Sequence, residues 1–204
     1  MPSQPAPPSP IAVAITGASG AVYGLGLLEA LRTAGRPAPL IVSRAGRLTL
    51  ALETEGGLEQ ARALAATVYD EDDLAAPLAS GSHPLAGLAV APCSIKTLSA
   101  IAMSFNHNLV VRAADVCLKE GRKLVLVVRE TPLHAGHLEL MQKAARLGAV
   151  ILPPMPAFYH RPATVQDIVN QTVGKVLDQF GVAHDLFARW AGPAKGGEDG
   201  GAAR

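Results

Sequence analysis

The sequence is poor in the features that mark secreted, membrane-spanning and nucleic-acid-binding proteins. It has 2 cysteines in 204 residues, too few for a disulfide framework and consistent with a reducing compartment. No apolar run approaches the ~20 residues of a membrane-spanning helix, and residues 1–10 lack the pattern of a signal peptide. The net charge of +1 offers no basic surface for nucleic acid or anionic lipid. We therefore expect a cytoplasmic protein with no nucleic-acid or membrane partner.

Aromatic residues are also scarce, at 4% of a chain that is 49% hydrophobic. We therefore expect a core of Ala, Val, Leu and Ile, and the length suits a single domain. The two ends differ in composition, because residues 1–10 are rich in Pro and Ser and residues 192–204 are Gly-rich and charged. Such compositions are typical of disordered segments, which leaves residues 11–191 as the folded domain.

Apolar runs alternate with helical patterns along this domain. Strands are predicted at 11–15, 38–42, 66–69, 87–91, 124–128 and 149–152, and helices at 20–34, 44–55, 94–103, 109–120, 134–147 and 164–180. Continuous apolar strands between helices predict an α/β fold with a Rossmann-like, doubly wound parallel sheet. In such sheets ligands bind beyond the carboxyl ends of the strands, so the residues that follow each strand are the candidates for function.

The first strand runs into a glycine-rich turn at residues 17–20, and a helix follows at once. Backbone N–H groups at the positive end of a helix dipole can hold a phosphate or a flavin. The same turn also fits a structural role in which Ser19 caps the helix. NAD is not expected, because Ser43 rather than an acidic residue follows the second strand, where a ribose hydroxyl would need a carboxylate.

The fourth strand is followed by a helix whose first turn carries Ser94, Lys96 and Thr97. These donors suit an anion, although Ser94 as a helix cap with Lys96 in water explains them equally well. Cys93 has no His or acidic residue nearby in sequence, so we interpret it as a structural thiol rather than a nucleophile.

Two charged residues, Arg129 and Glu130, end the apolar fifth strand. Charges at the end of a buried strand need partners. Arginine suits a phosphate and a neighbouring glutamate can carry a proton, whereas the alternative is a structural ion pair. No metal is predicted, because the acidic run at 70–73 lacks helical spacing and the histidines lack zinc spacing.

Six blocks, taken in order, resemble one known family, the UbiX-type flavin prenyltransferases, over roughly residues 11–190. They are ITGASGAVYG, IVSRAG with ALETE, APCSIKTLSAIA, NLVVRAADVCLKEGRKLVLVVRETPL, HLELMQKAARLGAVILPPMPAFYHRP and VLDQFGV. The resemblance implies the flavin-binding decarboxylase-like flavoprotein fold. It also implies transfer of a dimethylallyl group from dimethylallyl monophosphate to N5 and C6 of reduced FMN, without a metal.

The resemblance further implies partners and an assembly. The prenylated FMN would pass to a UbiD-type decarboxylase, including one that serves ubiquinone synthesis. The family typically forms a homododecamer with the flavin site at subunit junctions, which implies a homo-oligomer here.

The resemblance assigns roles residue by residue. The implied catalytic residues are Ser19, Glu53 and Glu130. The implied FMN-binding residues are Gly17, Ala18, Ser19, Ser43, Ser94, Ile95, Lys96, Thr97 and Arg129. The implied ligands of the prenyl phosphate are Arg112, Lys119, Arg129, Tyr159 and Lys175. Lys175 stands where the family often has Arg, so a point charge would replace a bidentate fork there.

Two alternatives stay open. One is an FMN-dependent cysteine decarboxylase of the same fold, although such enzymes use a His on the first helix and the segment AVYGLGLLEALRTAG has none. The other is a non-catalytic FMN-binding subunit that escorts a decarboxylase. The charged and hydroxyl residues at positions 129, 130, 159 and 175 favour catalysis.

Overall fold

The structure is a computed structural model that describes residues 9–190 and residue 192. The expected disordered ends, residues 1–10 and 192–204, lie outside the described residues except for positions 9, 10 and 192.

The centre of the fold is a six-stranded sheet with the order β3-β2-β1-β4-β5-β6. Each pair of neighbouring strands is parallel. The chain winds outward in one direction from β1 and then returns to pair β4 on the other side of β1, so the switch point lies between these two strands. The predicted doubly wound α/β fold is therefore confirmed. The strands are β1 Ile11–Ile15, β2 Pro39–Val42, β3 Thr67–Asp70, β4 Gly87–Cys93, β5 Lys123–Val128 and β6 Val150–Ile151.

Helices connect the strands and cover both faces of the sheet. They are α1 Ala21–Thr33, α2 Arg44–Glu53, α3 Gly57–Leu64, α4 Ile95–Ala102, α5 Leu109–Lys119, α6 Ala135–Arg146 and α7 Val165–Gln179, with a 3₁₀ turn at Pro77–Ala79. Six of them match predicted helices, whereas α3 was not predicted. Within the described part of the chain, no helix combines the length and the apolar character needed to cross a membrane.

The sheet separates two apolar cores. Ala12 and Ala14 of β1 face a core shared with α4 and α5, whereas Ile11, Val13 and Ile15 face a core shared with α1 and α7. All five residues of β1 are fully buried. Strands covered on both faces have no polar side, which is why they read as continuous apolar runs.

Helix α1 lies unusually close to the sheet because of Gly24. A Cβ at this position would lie 2.5 Å from the Ala91 carbonyl oxygen and 2.6 Å from Ile15 Cγ1. This approach places the start of α1 directly over the carboxyl ends of β1 and β4, where the turn at residues 17–20 meets the switch point.

Candidate active site

Thr16 joins the two loops at the switch point. Its hydroxyl donates to the Pro92 carbonyl at 2.7 Å and accepts from the Ser94 N–H at 2.9 Å. The side chain is buried, so water does not compete for these bonds. Sequence reasoning missed this role, although a hydroxyl at the end of an apolar strand was the available signal.

A cleft of about 480 Å³ opens at this edge of the sheet. Five of the predicted FMN-binding residues line it: Gly17 with its backbone, and Ser43, Ser94, Lys96 and Thr97, whose side chains supply hydroxyl and ammonium donors. Ala18 is buried beneath the turn, and Ile95 packs against the core. The cleft therefore brings together the glycine turn after β1 and polar residues that follow β2 and β4.

Ser43 and Ser94 also cap helices. Ser43 Oγ accepts from the Gly46 N–H at 3.0 Å, and Ser94 Oγ accepts from the Thr97 N–H at 3.3 Å. The capping interpretation of Ser94 is thus confirmed, and the same residue lines the cleft. Lys96 is exposed and forms no ion pair with any described residue, so its charge is available to a ligand.

The opposite wall of the cleft is more acidic than the sequence suggested. Glu71 accepts from the Arg44 N–H and from Asn108 Nδ2, the latter at 2.8 Å, and Asp72 lies 3.5 Å from Arg44. Glu71, Asp72, Arg44 and Asn108 all line the cleft together with His107. The acidic run therefore contacts the starts of α2 and α5. These residues are far apart in the sequence, so local patterns did not predict the contacts.

The start of α1 is occupied by a carboxylate of the protein itself. Glu53 Oε2 accepts from the N–H groups of Gly20 and Ala21 at 2.8 and 2.9 Å, and the Ser19 side chain also bonds Glu53. Gly20 is the N-cap, at φ 108° and without a side-chain cap. The structural interpretation of Ser19 as a helix cap was therefore wrong: Ser19 faces Glu53 instead.

Two opposing effects set the charge of Glu53. Partial burial raises the pKa of this carboxyl, but bonds from Ser19, Gly20 and Ala21 and the positive charge of Arg129 together lower it below its ordinary 4.5. Glu53 is consequently ionised at neutral pH. The structure thus places Ser19 and Glu53 together at the start of α1, close enough to Arg129 for its charge to act on Glu53.

Tyr23 belongs to the same group and was missed by sequence reasoning. Its ring lies over Gly20, within 2.8 Å of where a Cβ would stand. Burial raises the pKa of Tyr23, and the charge of Arg129 opposes this. The available signal was its position in the first turn of α1, directly after the glycine-rich turn.

Arg129 and Glu130 do not pair with each other. Neither residue forms an ion pair within the described ranges, so the alternative interpretation of a structural ion pair was wrong. The Arg129 N–H donates to the Cys93 carbonyl at 3.1 Å, and Glu130 accepts from the Thr131 N–H at 3.0 Å. Both side chains are exposed at the edge of a second cavity of about 430 Å³, which Leu133, Met141, Met155 and three prolines make mostly apolar.

Cys93 is unsuited to act as a nucleophile. It is fully buried at the end of β4, and burial raises the pKa of its thiol far above the ordinary value. The thiolate, which is the reactive form, is therefore unpopulated at neutral pH, in agreement with its interpretation as a structural thiol.

The five predicted phosphate ligands do not converge within one subunit. Lys119 ends α5, next to the start of β5, and pairs with Glu120. Lys175 lies in the C-terminal part of α7. Phe180, which follows this helix, packs against Gly87, the first residue of β4, so α7 ends at the amino edge of the sheet. Both lysines therefore lie toward the amino edge of the sheet, opposite Arg129.

The remaining two predicted phosphate ligands are held elsewhere. Arg112 donates to the Ala79 carbonyl and pairs with Asp115, each at 3.0 Å. Tyr159 lies on the loop after β6, half-exposed, with its ring edge-on to Trp190 at 5.7 Å. One subunit thus presents the flavin-side cluster and, on other surfaces, a set of separated cations.

Known proteins share this architecture and much of this sequence. The model of the Flavoprotein family matches residues 2–177. The flavin prenyltransferase UbiX of Thauera aromatica is 57% identical over 182 residues, which cover 89% of this chain and 94% of that protein.

Two crystal structures are similar along nearly their whole length. AnUbiX (PadA1), in complex with FMN and dimethylallyl pyrophosphate, superposes with a TM-score of 0.90 at 45% identity, covering 91% of this chain and 99% of that one. A dodecameric FMN-dependent UbiX-like decarboxylase from Escherichia coli O157:H7 gives a TM-score of 0.87 at 48% identity, covering 89% and 99%. This chain therefore belongs to the flavoprotein family and, within it, to the UbiX-type flavin prenyltransferases.

Proposed function

We propose that this enzyme transfers the dimethylallyl group of dimethylallyl monophosphate to N5 and C6 of reduced FMN, using charges of the protein rather than a metal ion. The observation that carries the proposal is the cluster of Ser19, ionised Glu53 and Arg129 beside a cleft lined with hydroxyl and ammonium donors. This arrangement combines a flavin-sized site with groups that can hold a proton and a phosphate.

The residues of the cleft fit FMN. Its volume of about 480 Å³ lies within the range of about 300–1,000 Å³ for ligand pockets. Ser43, Ser94, Lys96 and Thr97 would hold the flavin and its phosphate, since hydroxyls, an ammonium group and the start of α4 all favour an anion. When bound and reduced, FMN supplies the nucleophilic nitrogen and carbon atoms that accept the allyl group.

Glu53 is suited to receive a proton. Its Oε2 accepts from two N–H groups of α1, which hold the carboxylate in place, and the proton released when the new ring closes at C6 would pass to an oxygen of this carboxylate. The lowered pKa of Glu53 keeps this oxygen unprotonated before the step. Glu130, exposed beside Arg129, is the second candidate for proton transfer.

The phosphate pocket needs more than one subunit under this proposal. Arg129 and Tyr159 follow the carboxyl ends of β5 and β6, whereas Lys119 and Lys175 lie toward the other edge of the sheet. We propose a homododecamer in which neighbouring subunits bring Arg112, Lys119 and Lys175 to Arg129 and Tyr159. Their combined charge would stabilise the phosphate as the C–O bond breaks.

The product implies a recipient and a location. We propose that a UbiD-type decarboxylase receives the prenylated FMN in the cytoplasm, and that ubiquinone synthesis is a pathway served in this way.

The test is to incubate the protein anaerobically with reduced FMN and dimethylallyl monophosphate, with a chelator present, and to measure the flavin mass. The expected result is a gain of one dimethylallyl unit. An unmodified flavin would contradict the proposal, and release of CO₂ from a cysteine-containing peptide would point to the decarboxylase alternative. Tight FMN binding with neither reaction would point to a non-catalytic subunit. A parallel reaction with the diphosphate measures donor preference.

Proton transfer is tested by single turnover. We expect Glu130→Gln to slow formation of prenylated flavin while FMN binding stays as in the wild type. A wild-type rate would remove Glu130 from the mechanism and leave Glu53 as the proton acceptor.

A further inference from the structure

Three basic side chains converge on one carboxylate, Asp178, near the end of α7. Arg189 donates to both of its oxygens, from Nη1 to Oδ2 at 3.2 Å and from Nη2 to Oδ1 at 2.7 Å. His184 Nε2 lies 3.2 Å from Oδ1, and Lys175 Nζ lies 3.6 Å from Oδ2. The proposed transfer reaction assigns no role to Asp178, so this network needs a reason of its own.

The centre of the network is shielded from water, whereas Arg189 and Lys175 reach it from the exposed surface. The side chain of Asp178 is 20% exposed and that of His184 is 5% exposed. Hydrogen bonding to Arg189 is the largest influence on Asp178 and, with His184, outweighs burial, so the pKa of this carboxyl is lowered. His184 Nδ1 accepts from the Leu186 N–H at 3.3 Å, which leaves Nε2 as the nitrogen that donates to Asp178.

Residues 184–190, called the C-terminal clasp below, pack directly on α7. A Cβ on Gly174 would lie 2.4 Å from Phe187 Cε1 and 2.6 Å from His184 Cε1, so the missing side chain makes room for both rings. The Arg189 guanidinium lies 5.5 Å from the Phe187 ring centre. Packing at Gly174 and the ion pair at Asp178 together fix the path of the clasp.

The clasp ends at Trp190, which contacts Tyr159. The two rings meet edge to face, with centroids 5.7 Å apart at 77°. Both side chains are otherwise mostly exposed, Tyr159 at 51% and Trp190 at 64%. Within a subunit, the Tyr159 ring has two aromatic contacts among the described residues, His160 at 5.4 Å between ring centroids and Trp190, and the clasp supplies the second of these.

We propose that Asp178 is a positioning residue of the prenyl-phosphate pocket: through Arg189 and Trp190 it holds the Tyr159 hydroxyl where the phosphate of the donor binds. This inference rests on the proposed function, which assigns Tyr159 to that phosphate. Lys175, another proposed phosphate ligand, contacts the same carboxylate, so loss of Asp178 disturbs two ligands of one group.

The first measurement follows the clasp without any reaction. Trp190 is the single tryptophan of the chain, so tryptophan emission, excited beyond the tyrosine band and read below the flavin emission, reports on it alone. We expect Asp178→Asn to shift the emission of Trp190 and to increase its quenching by acrylamide. Asp185→Asn removes an exposed carboxylate of the same segment and is expected to leave both as in the wild type.

The second measurement is steady-state kinetics with dimethylallyl monophosphate. We expect Asp178→Asn to raise KM about tenfold, equivalent to about 1.4 kcal/mol, with the FMN Kd and kcat changed less than about twofold, and Asp178→Glu to restore part of the loss. Because Asp178 acts on Tyr159 and also contacts Lys175, adding Asp178→Asn to Tyr159→Phe should raise KM further, but by less than the product of the two single effects.

The outcomes of these measurements separate the positioning role of Asp178 from the proposed prenyl transfer. Wild-type quenching and KM in Asp178→Asn, additive effects in the double variant, or an equal loss of FMN binding would overturn the positioning role. If Asp178→Asn fails to fold, Arg189→Gln breaks the same contact from its exposed side and is judged by the same criteria. A wild-type protein that leaves the flavin unmodified overturns the proposed function, whereas the fluorescence of Trp190 still decides whether Asp178 holds the clasp.

Discussion

At the residue scale, Glu53 shows how one carboxylate can serve both the fold and the site. The glycine-rich turn predicts an anion at the start of α1, and the structure places a carboxylate of the chain there. A negative charge at this end stabilises the helix dipole and satisfies two N–H groups. The flavin cleft is instead bounded by the starts of α2 and α4, where Ser43 and Ser94 are the caps.

Replacing Glu53 by Gln should weaken the fold in a pH-dependent way. Loss of a charged acceptor is expected to cost about 1 kcal/mol of unfolding free energy at pH 7. The pKa of Glu53 is lowered in the folded state, so its contribution is present above its ordinary 4.5 and is lost as pH falls through the lower folded value. The stability difference between wild type and variant should therefore shrink in acid. Urea unfolding at pH 7 and below pH 4.5 measures it.

Glu55→Gln is the matched control, because Glu55 is exposed two residues further along the chain. It should leave both stability and prenyl transfer unchanged, whereas Glu53→Gln should slow prenyl transfer with FMN still bound. A pH-independent difference for Glu53→Gln would show that its charge is not the stabilising feature.

Local patterns predicted only part of this site. Ser43, Ser94 and Thr97 were predicted because each follows an apolar strand within a few residues. The contact between Glu53 and Gly20 spans 33 positions, and periodicity does not encode it. The family resemblance named Glu53, but neither the resemblance nor the local pattern showed that it bonds the start of α1.

At the element scale, apolar runs predicted the positions of all six strands. Strands β1, β2 and β4 are buried along their whole length, which leaves no polar side to interrupt the run, whereas the edge strand β3 is only partly buried. Helix α3 was missed because Gly56 and Gly57 begin it, and glycine normally signals a turn. Its buried Ala61, with Leu58 and Leu64 at three-residue spacing, was the signal available.

Helix α1 offers a comparison between two glycines. A Cβ on Gly24 would meet the Ala91 carbonyl oxygen at 2.5 Å, whereas one on Gly26 would meet a methyl group of Val173 at 3.2 Å. Overpacking costs about 1–3 kcal/mol, and alanine gains up to about 1 kcal/mol in a helix. We expect Gly24→Ala to destabilise by about 2 kcal/mol and Gly26→Ala to change stability by less than about 1 kcal/mol.

Chemical unfolding of the two variants measures this difference. Gly24→Ala should also weaken FMN binding, because it lifts α1 and moves the turn at residues 17–20 relative to β4. Equal stabilities for the two variants would mean that α1 relaxes freely over the sheet, and that its close approach does not position the turn.

At the scale of the whole molecule, the separation of the cations is the main result that sequence could not predict. The resemblance assigns Lys119 and Arg129 to one phosphate, yet they lie at opposite edges of the sheet in one subunit. A sequence match identifies residues but does not identify the subunit that supplies them. If both residues act on one phosphate, a site must combine different copies of the chain.

Mixing two impaired variants tests this arrangement. Glu53→Gln impairs the flavin side of a site, and Lys119→Ala impairs the phosphate side that we assign to a neighbouring subunit. When the two proteins are dissociated, mixed in equal amounts and reassembled, about a quarter of the sites should combine an intact Glu53 with an intact Lys119. Prenyl transfer should therefore return to about a quarter of the wild-type rate, measured as prenylated flavin formed per subunit.

The control is a mixture of Glu53→Gln with Ser19→Ala. These two side chains bond each other within one subunit, so every subunit in that mixture carries one defect on its flavin side, and no recovery is expected. Recovery in this control would show that the Glu53 and the Ser19 of one site come from different subunits. No recovery in the first mixture, with reassembly verified by size, would place Lys119 in the same subunit as Glu53 or outside the site, and would contradict a phosphate pocket shared between subunits.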